Sequence, residues 1–318
     1  MVQRPMVVRG VLSVQVCSQT RSQKPQLTSC RRIATFFSLS KHWKSYDLFA
    51  RQKMSTFRSS RPAVLELAAR YHELITEMEN KGSKSEEEID AAEKILFMEM
   101  CEICLWGNAT DLSLLTFLTY EDIQKLQGSE ARKASEKNII VNDLEAAYDV
   151  LKTAKKEGKK ERQVDIVLDN AGFELYVDLI LAGFLLSAGL ATNVILRPKS
   201  IPWFVSDVLP QDFADLLNAL NNAQSFYSTP SDDEKNSGRK VEPLSEKELS
   251  ELSFLFQEWS TFHAEGQLLL RGNRFWTHGG SFWRLPSSEP RLLEDLQESE
   301  LVIFKGDLNY RKLTGDVR

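Results

Sequence analysis

The chain is poor in cysteine and histidine and has no long apolar run, and each scarcity removes a class of protein. Four cysteines in 318 residues, Cys17, Cys30, Cys101 and Cys104, make no disulfide framework and point to a reducing compartment. Cys101 and Cys104 have CxxC spacing, yet no second Cys or His pair follows at zinc-finger spacing. Both sulfurs fall in an apolar helical stretch, where buried structural cysteine is expected. His42, His72, His263 and His278 show no HxxxH spacing and are expected as surface or packing residues. The longest apolar run, 179–190, has 12 residues, short of the ~20 that span a bilayer. It is expected as a core helix, and no membrane partner is expected. A GxGxxG fingerprint is also lacking, which argues against a dinucleotide site of the usual kind.

Acid is missing from one region only. Residues 1–46 carry eight Lys or Arg and no Asp or Glu. The remainder holds 32 basic against 45 acidic residues, too acidic to track a phosphate backbone, so nucleic acid is not an expected partner. The Arg- and Ser-rich start has the composition of a mitochondrial transit peptide, or equally of a disordered leader. The expected compartment is cytoplasmic or nuclear, and mitochondrial if the leader is a true transit signal. With 42% hydrophobic and 27% charged residues, the body has the composition of a globular chain able to bury a large core.

From Tyr46 the chain becomes structured. Apolar residues at three- and four-residue spacing predict an amphipathic helix over 62–80, with Ser59 or Ser60 as cap and Pro62 in the first turn. A second helix is predicted from Ser85, with Glu86, Glu87 and Glu88 complementing its dipole, as far as Gly107. Others are expected over 121–126 and 142–156. The character then changes. A β-branched run over 164–168 reads as a buried strand ending in Asp169-Asn170, and a long helix follows Gly172. A second strand over 193–196 leads to Ile201-Pro-Trp-Phe-Val-Ser-Asp207. Strand, helix, strand at this spacing is a βαβ unit of a parallel sheet. A helix over 212–223, a flexible polar insertion over 227–243, a helix over 246–264 and a third strand over 301–304 complete the pattern. The expectation is an α/β protein: a basic leader (1–45), a partial helical domain (46–160), and a Rossmann-like three-layer α/β domain with a mainly parallel sheet (161–318).

Three strand ends carry polar side chains: Asp169 and Asn170, Ser206 and Asp207, Asp307 and Asn309. A single Asp after a strand is more often a turn former, but three such ends in one half-sheet favour a site, because open α/β sheets bind ligands beyond their carboxyl ends. Hard oxygen donors there suit Mg²⁺ or Mn²⁺. Two carboxylates and one amide leave positions open for water and a phosphate oxygen, which a metal can polarise. Gly172 admits close backbone approach, and the helix start after it favours an anion. Lys305, Arg311 and Lys312 are candidate cations for a phosphate. Trp203 and Phe204 are expected as core beneath Asp207. The aromatic stretch around Trp276, His278, Phe282 and Trp283 is expected to pack in the core rather than to act as a lid.

VLDNAGFELYVDLILAGFLL, IPWFVSD and LVIFKGDLNYRKLTGD, together with EICLWGNATDLSLL, resemble the damage-control metal-dependent phosphatase family, in its sugar-phosphate phosphatase and acidic-residue methyltransferase branch. The resemblance implies that Asp169, Asn170 and Asp207 hold a divalent metal (Mn²⁺, Ni²⁺ or Co²⁺, with Mg²⁺ admissible) and do the catalysis. It also implies that these three contact substrate with Glu174, Asp307, Leu308, Asn309 and Tyr310. The implied activity is hydrolysis of phosphometabolites of the fructose 1-phosphate class, with cleavage of fructose 6-phosphate also assigned to the group. The alternatives are a SAM-dependent protein-glutamate carboxyl methyltransferase, whose chemistry needs no divalent ion, and a catalytically impaired truncated member. The branch carries an Arg-Thr-x-Lys motif beyond GDLNYRKLTGD that is absent here, and a longer helical front, so the chain is expected to be incomplete at both ends.

Overall fold

The computed structural model describes residues 11–13, 46–79, 85–109, 139–231, 235 and 241–315. The first helices are α1 (Ala50–Ser59), α2 (Arg61–Glu79), α3 (Glu86–Ala109) and α4 (Leu144–Lys156). The α/β part then alternates β2 (Gln163–Val167), α5 (Phe173–Ser187), β3 (Asn193–Arg197), α6 (Pro210–Asn221), α7 (Ala223–Ser228), α8 (Glu246–Ala264) and β4 (Leu268–Leu270). Two 3₁₀ turns, Arg274–Thr277 and Phe282–Arg284, lead through α9 (Leu285–Ser288) and α10 (Pro290–Gln297) to β5 (Ser299–Phe304) and α11 (Gly306–Thr314).

The sheet is parallel throughout, in the order β1-β5-β2-β3-β4, where β1 is Val11–Ser13. The outer edge of β5 is therefore paired by three residues of the basic leader. Alternation along the strands sends successive side chains to opposite faces. Val164, Ile166, Val194, Leu196, Leu301 and Ile303 enter a core with α2, α3, α4, α5 and α8. Val167 and Val302 enter a smaller one with Phe275, Trp276, Phe282, Leu292 and Leu296. These are the three layers of an α/β domain; of the aromatic stretch Trp276 and Phe282 are core as expected, whereas His278 is half-buried and Trp283 is 67% exposed, against expectation.

Helix α5 is apolar almost all round because it is the middle of the molecule, with every residue from Phe173 to Leu186 buried. Among the described residues no helix is long and apolar enough to cross a membrane. Cys101 and Cys104 are buried and free. The expected helix over 121–126 lies outside the described residues.

Several expectations need correction. Helix α1 runs directly into α2, and the Ser60 hydroxyl donates back to the Thr56 carbonyl at 3.0 Å rather than capping α2. Tyr227 belongs to α7 and is buried, so it is no part of a flexible insertion. Phe204 is 58% exposed and Trp203 only half-buried, so neither is core beneath Asp207. Asp307 and Asn309, expected at a strand end, lie in the first part of α11.

Candidate active site

From β2 the chain steps through β3 to β4 on one side, and β5 returns to the other. The switch point of the sheet thus lies between β2 and β5, and ligands bind beyond the carboxyl ends of strands at such a point. There, Asp169 and Asn170 follow β2, and Lys305, Gly306 and Asp307 follow β5. The segment after β3 is stapled to the end of β2 by the Asn170–Asp207 bridge, with Ala171 N donating to Ser206 O at 2.7 Å and Val208 N to Asp169 O at 2.8 Å. This pairing brings Asp169, Asn170 and Asp207 together across 38 residues of sequence. Glu174 joins them from the first turn of α5.

Asp169, Glu174 and Asp207 are all buried. The Asn170 amide bridges two of them, Nδ2 donating to Asp169 Oδ2 at 2.7 Å and to Glu174 Oε2 at 2.8 Å. Its carbonyl accepts from Ser206 Oγ at 2.5 Å. Burial, then Glu174 and Asp207 beside it, push the Asp169 carboxyl up to about 8. Burial likewise raises Glu174 to about 7, although Lys305 pulls the other way. Asp207 is also raised by burial, against the pull of Lys199. Carboxylates packed in this way stay charged only where a cation compensates them.

Three buried lysines surround the cluster. Lys199 is fully buried, with Nζ donating to Leu168 O at 2.9 Å and lying 3.3 Å from Asp207 Oδ1. Lys53 of α1 donates to the Asp207 carbonyl and to Asp212 Oδ2, both at 2.8 Å, and lies 2.7 Å from Asp47. Lys305 contacts Asp178 Oδ1 at 2.6 Å, the Cys104 carbonyl at 2.8 Å, Cys104 Sγ at 3.2 Å and Glu174 Oε1 at 3.5 Å. Burial works against its charge, but Asp178, Cys104 and Glu174 hold it well above the usual lysine value.

Gly306 adds a steric requirement. At φ +80° it packs so closely that a Cβ would stand 2.0 Å from Asp169 Oδ2. Only glycine admits that approach.

The residues fit a divalent cation. Asp207 Oδ1 and Glu174 Oε1 are buried without a hydrogen bond, and Asn170 Oδ1 accepts from a hydroxyl that can rotate away. Among the described residues no three His, Cys, Asp or Glu side chains converge as a ready metal group.

The remaining expected residues sit on α11. Asp307 is exposed, and Leu308 and Tyr310 are half-buried. Asn309 is fully buried, its Nδ2 donating to the carbonyls of Lys305 (2.7 Å), Leu168 (3.2 Å) and Val167 (3.4 Å). It locks the ends of β2 and β5 together. Lys312 is buried, with Nζ on the carbonyls of His278 at 2.6 Å and Trp276 at 3.3 Å. Burial and the nearby Lys199 lower it to about 8. Arg311 stands 3.9 Å from Asp307.

A model of the family described as "Damage-control phosphatase ARMT1-like domain" matches residues 15–318. The chain belongs to that family. The match takes in most of the basic leader as well as the motifs from Tyr46 onward. Curated relatives named "Damage-control phosphatase ARMT1" include the proteins of Xenopus laevis (36% identical over 291 residues) and Danio rerio (34% over 289), each alignment covering 90% of this chain. The Homo sapiens protein is 34% identical over 274 residues, 85% of this chain. The alignments cover 58%, 57% and 54% of those relatives, so the chain spans a little over half their length.

Lys53, Lys199 and the glycine requirement at 306 were not foreseen from the sequence. Lys199 follows β3 directly, and a lysine at the carboxyl end of a buried parallel strand was the signal available. Nothing local marks Lys53, which reaches Asp212 across 159 positions.

Proposed function

We propose that the chain is a metal-dependent phosphatase acting on small phosphorylated metabolites of the fructose 1-phosphate class. The observation that carries this reading is the burial of Asp169, Glu174 and Asp207 together at the switch point, two of their oxygens lacking any hydrogen bond. Such a cluster binds either protons or a cation, and a phosphate ester brings negative charge that only a cation would welcome. Family membership supports the phosphatase reading through the relatives' printed name.

In this reading Asp169, Asn170 Oδ1 and Asp207 hold Mn²⁺, Co²⁺ or Ni²⁺, with Mg²⁺ admissible for oxygen donors. The ion would polarise the phosphoryl group and lower the pKa of a water. Lys199 fixes the Asp207 carboxylate, and Asn309 fixes the strand end that carries Asp169. Glu174, poised at about 7, handles the proton of the departing sugar hydroxyl, as suits an acid–base group near the working pH. Asp307, Leu308 and Tyr310 at the start of α11 form the substrate side of the site.

The test is phosphate release from fructose 1-phosphate by the purified chain with Mn²⁺ or Co²⁺, beside Asp169→Ala and an EDTA control. Release that depends on metal and disappears in the variant is expected. Folded, metal-loaded protein that releases no phosphate would sink the reading. Methyl transfer to a carboxylate surviving EDTA would favour the methyltransferase instead.

A further inference from the structure

Phe204 combines two features that rarely occur together. Among the described residues it is the non-glycine residue with positive φ, at +48°, a conformation that costs an aromatic side chain free energy and collects at functional sites. Its ring is also 58% exposed, with Val205 beside it 38% exposed, so the strain brings no burial. The other exposed tryptophan or phenylalanine among the described residues, Trp283, is anchored by its indole N–H on the Leu313 carbonyl at 2.8 Å. For Phe204 the ring contact is the half-buried Trp203, edge-on at 5.9 Å.

The position of this residue gives the conformation a purpose. Two residues on, Ser206 donates to Asn170 Oδ1 and accepts from Ala171 N. Three residues on is Asp207, so chain reach keeps Phe204 within about 11 Å of the carboxylate cluster. An exposed apolar ring thus stands within that reach of a site otherwise lined by acids and lysines. Sugar carbons present an apolar C–H face, which aromatic rings cover well.

We propose that Phe204 is a specificity residue whose ring covers the carbon skeleton of the phosphorylated metabolite, while the Asp169–Asp207 cluster engages its phosphate end. This rests on the phosphatase reading. It separates two jobs: the carboxylate cluster and lysines respond to phosphate whatever it is attached to, and Phe204 responds to what is attached.

The experiment titrates the metal-loaded full chain, wild type and Phe204→Ala, Phe204→Gly and Phe204→Tyr, with two probes. One is the phosphonate isostere of fructose 1-phosphate, which resists hydrolysis, and the other is inorganic phosphate. The Ala and Gly variants are expected to bind the phosphonate about tenfold more weakly and inorganic phosphate as wild type does, with Tyr retaining affinity. Unchanged phosphonate binding in Phe204→Ala overturns the proposal. So does recovery in Phe204→Gly, which would show that backbone strain rather than the ring was at work, and so does equal weakening toward both probes or no phosphonate binding by wild type. Phosphate release from fructose 1-phosphate by wild type is measured separately. Selective binding without release would retire the phosphatase reading and leave the role of the ring standing.

Discussion

Freed of metal, the chain should become less stable as the pH rises from 5 to 8, and Asp169 should be the main reason. Its carboxyl has an ordinary value of 3.8 and stands at about 8 in the fold. A raised acid means that the folded state binds a proton the unfolded state has already lost, so stability is greatest below about pH 4 and falls until about pH 8, where both states are ionised. At about 1.4 kcal/mol per pH unit, the interval from 5 to 8 amounts to about 3–4 kcal/mol. Glu174, raised from 4.5 to about 7, acts in the same direction. In a chain of this size that corresponds to a fall in Tm of about 5–6 °C. Asp169→Asn keeps the shape and removes the charge, so the EDTA-treated variant should match wild type at pH 5 and exceed it by about 3–4 kcal/mol at pH 8. A saturating divalent ion should reverse the wild-type loss, since it replaces the proton, and should leave the variant unchanged. Thermal unfolding of both proteins at pH 5 and 8, with EDTA and with Mn²⁺, reads all of this. Metal-free wild type as stable at pH 8 as at pH 5, or a variant less stable than wild type at pH 8, would refute the argument that Asp169 is buried beside Glu174 and Asp207 with too little positive charge to keep it ionised.

Gly306→Ala would put a methyl 2.0 Å from Asp169 Oδ2 at a backbone φ of +80°. It should cost about 2 kcal/mol in urea unfolding and weaken Mn²⁺ binding at least tenfold by turning Asp169 aside. Lys53→Met should destabilise by about 3 kcal/mol, because Asp212 and Asp47 are left without their buried partner, and a milder loss in Lys53→Arg would show that charge is the cause. Gly183→Ala should cost about 1–3 kcal/mol in thermal unfolding without altering metal affinity, because its methyl meets the Tyr71 hydroxyl at 2.3 Å and Trp259 Nε1 at 2.9 Å, in the helical core away from the carboxylates.

What could be read from the sequence follows from how local each cause is. Strands β2, β3 and β5 and helices α5 and α8 were visible because burial on both faces gives a parallel strand a short β-branched run, and because a helix keeps its period whatever surrounds it. β4 escaped, since three leucines after a helix carry no period of their own. β1 escaped because its partner lies 291 positions away and its own segment reads as leader. The same division runs through the site. Asp169, Asn170 and Asp207 could be nominated because strand ends are where α/β sheets do chemistry, a rule that needs only the order of elements. Lys53 and Lys199, which hold Asp207 and its neighbours, could not, because each arrives from a different element by tertiary packing. Phe204 shows the limit most clearly. Hydrophobicity alone assigns a Trp-Phe pair before a buried aspartate to the core, and only the backbone, bent to positive φ in order to pair Ser206 and Asp207 with the end of β2, turns that ring out toward solvent. A patterning rule describes what a residue prefers, whereas a site is built where the rest of the fold overrides the preference, so the residue misread from sequence is also the one whose conformation most needs a functional reason.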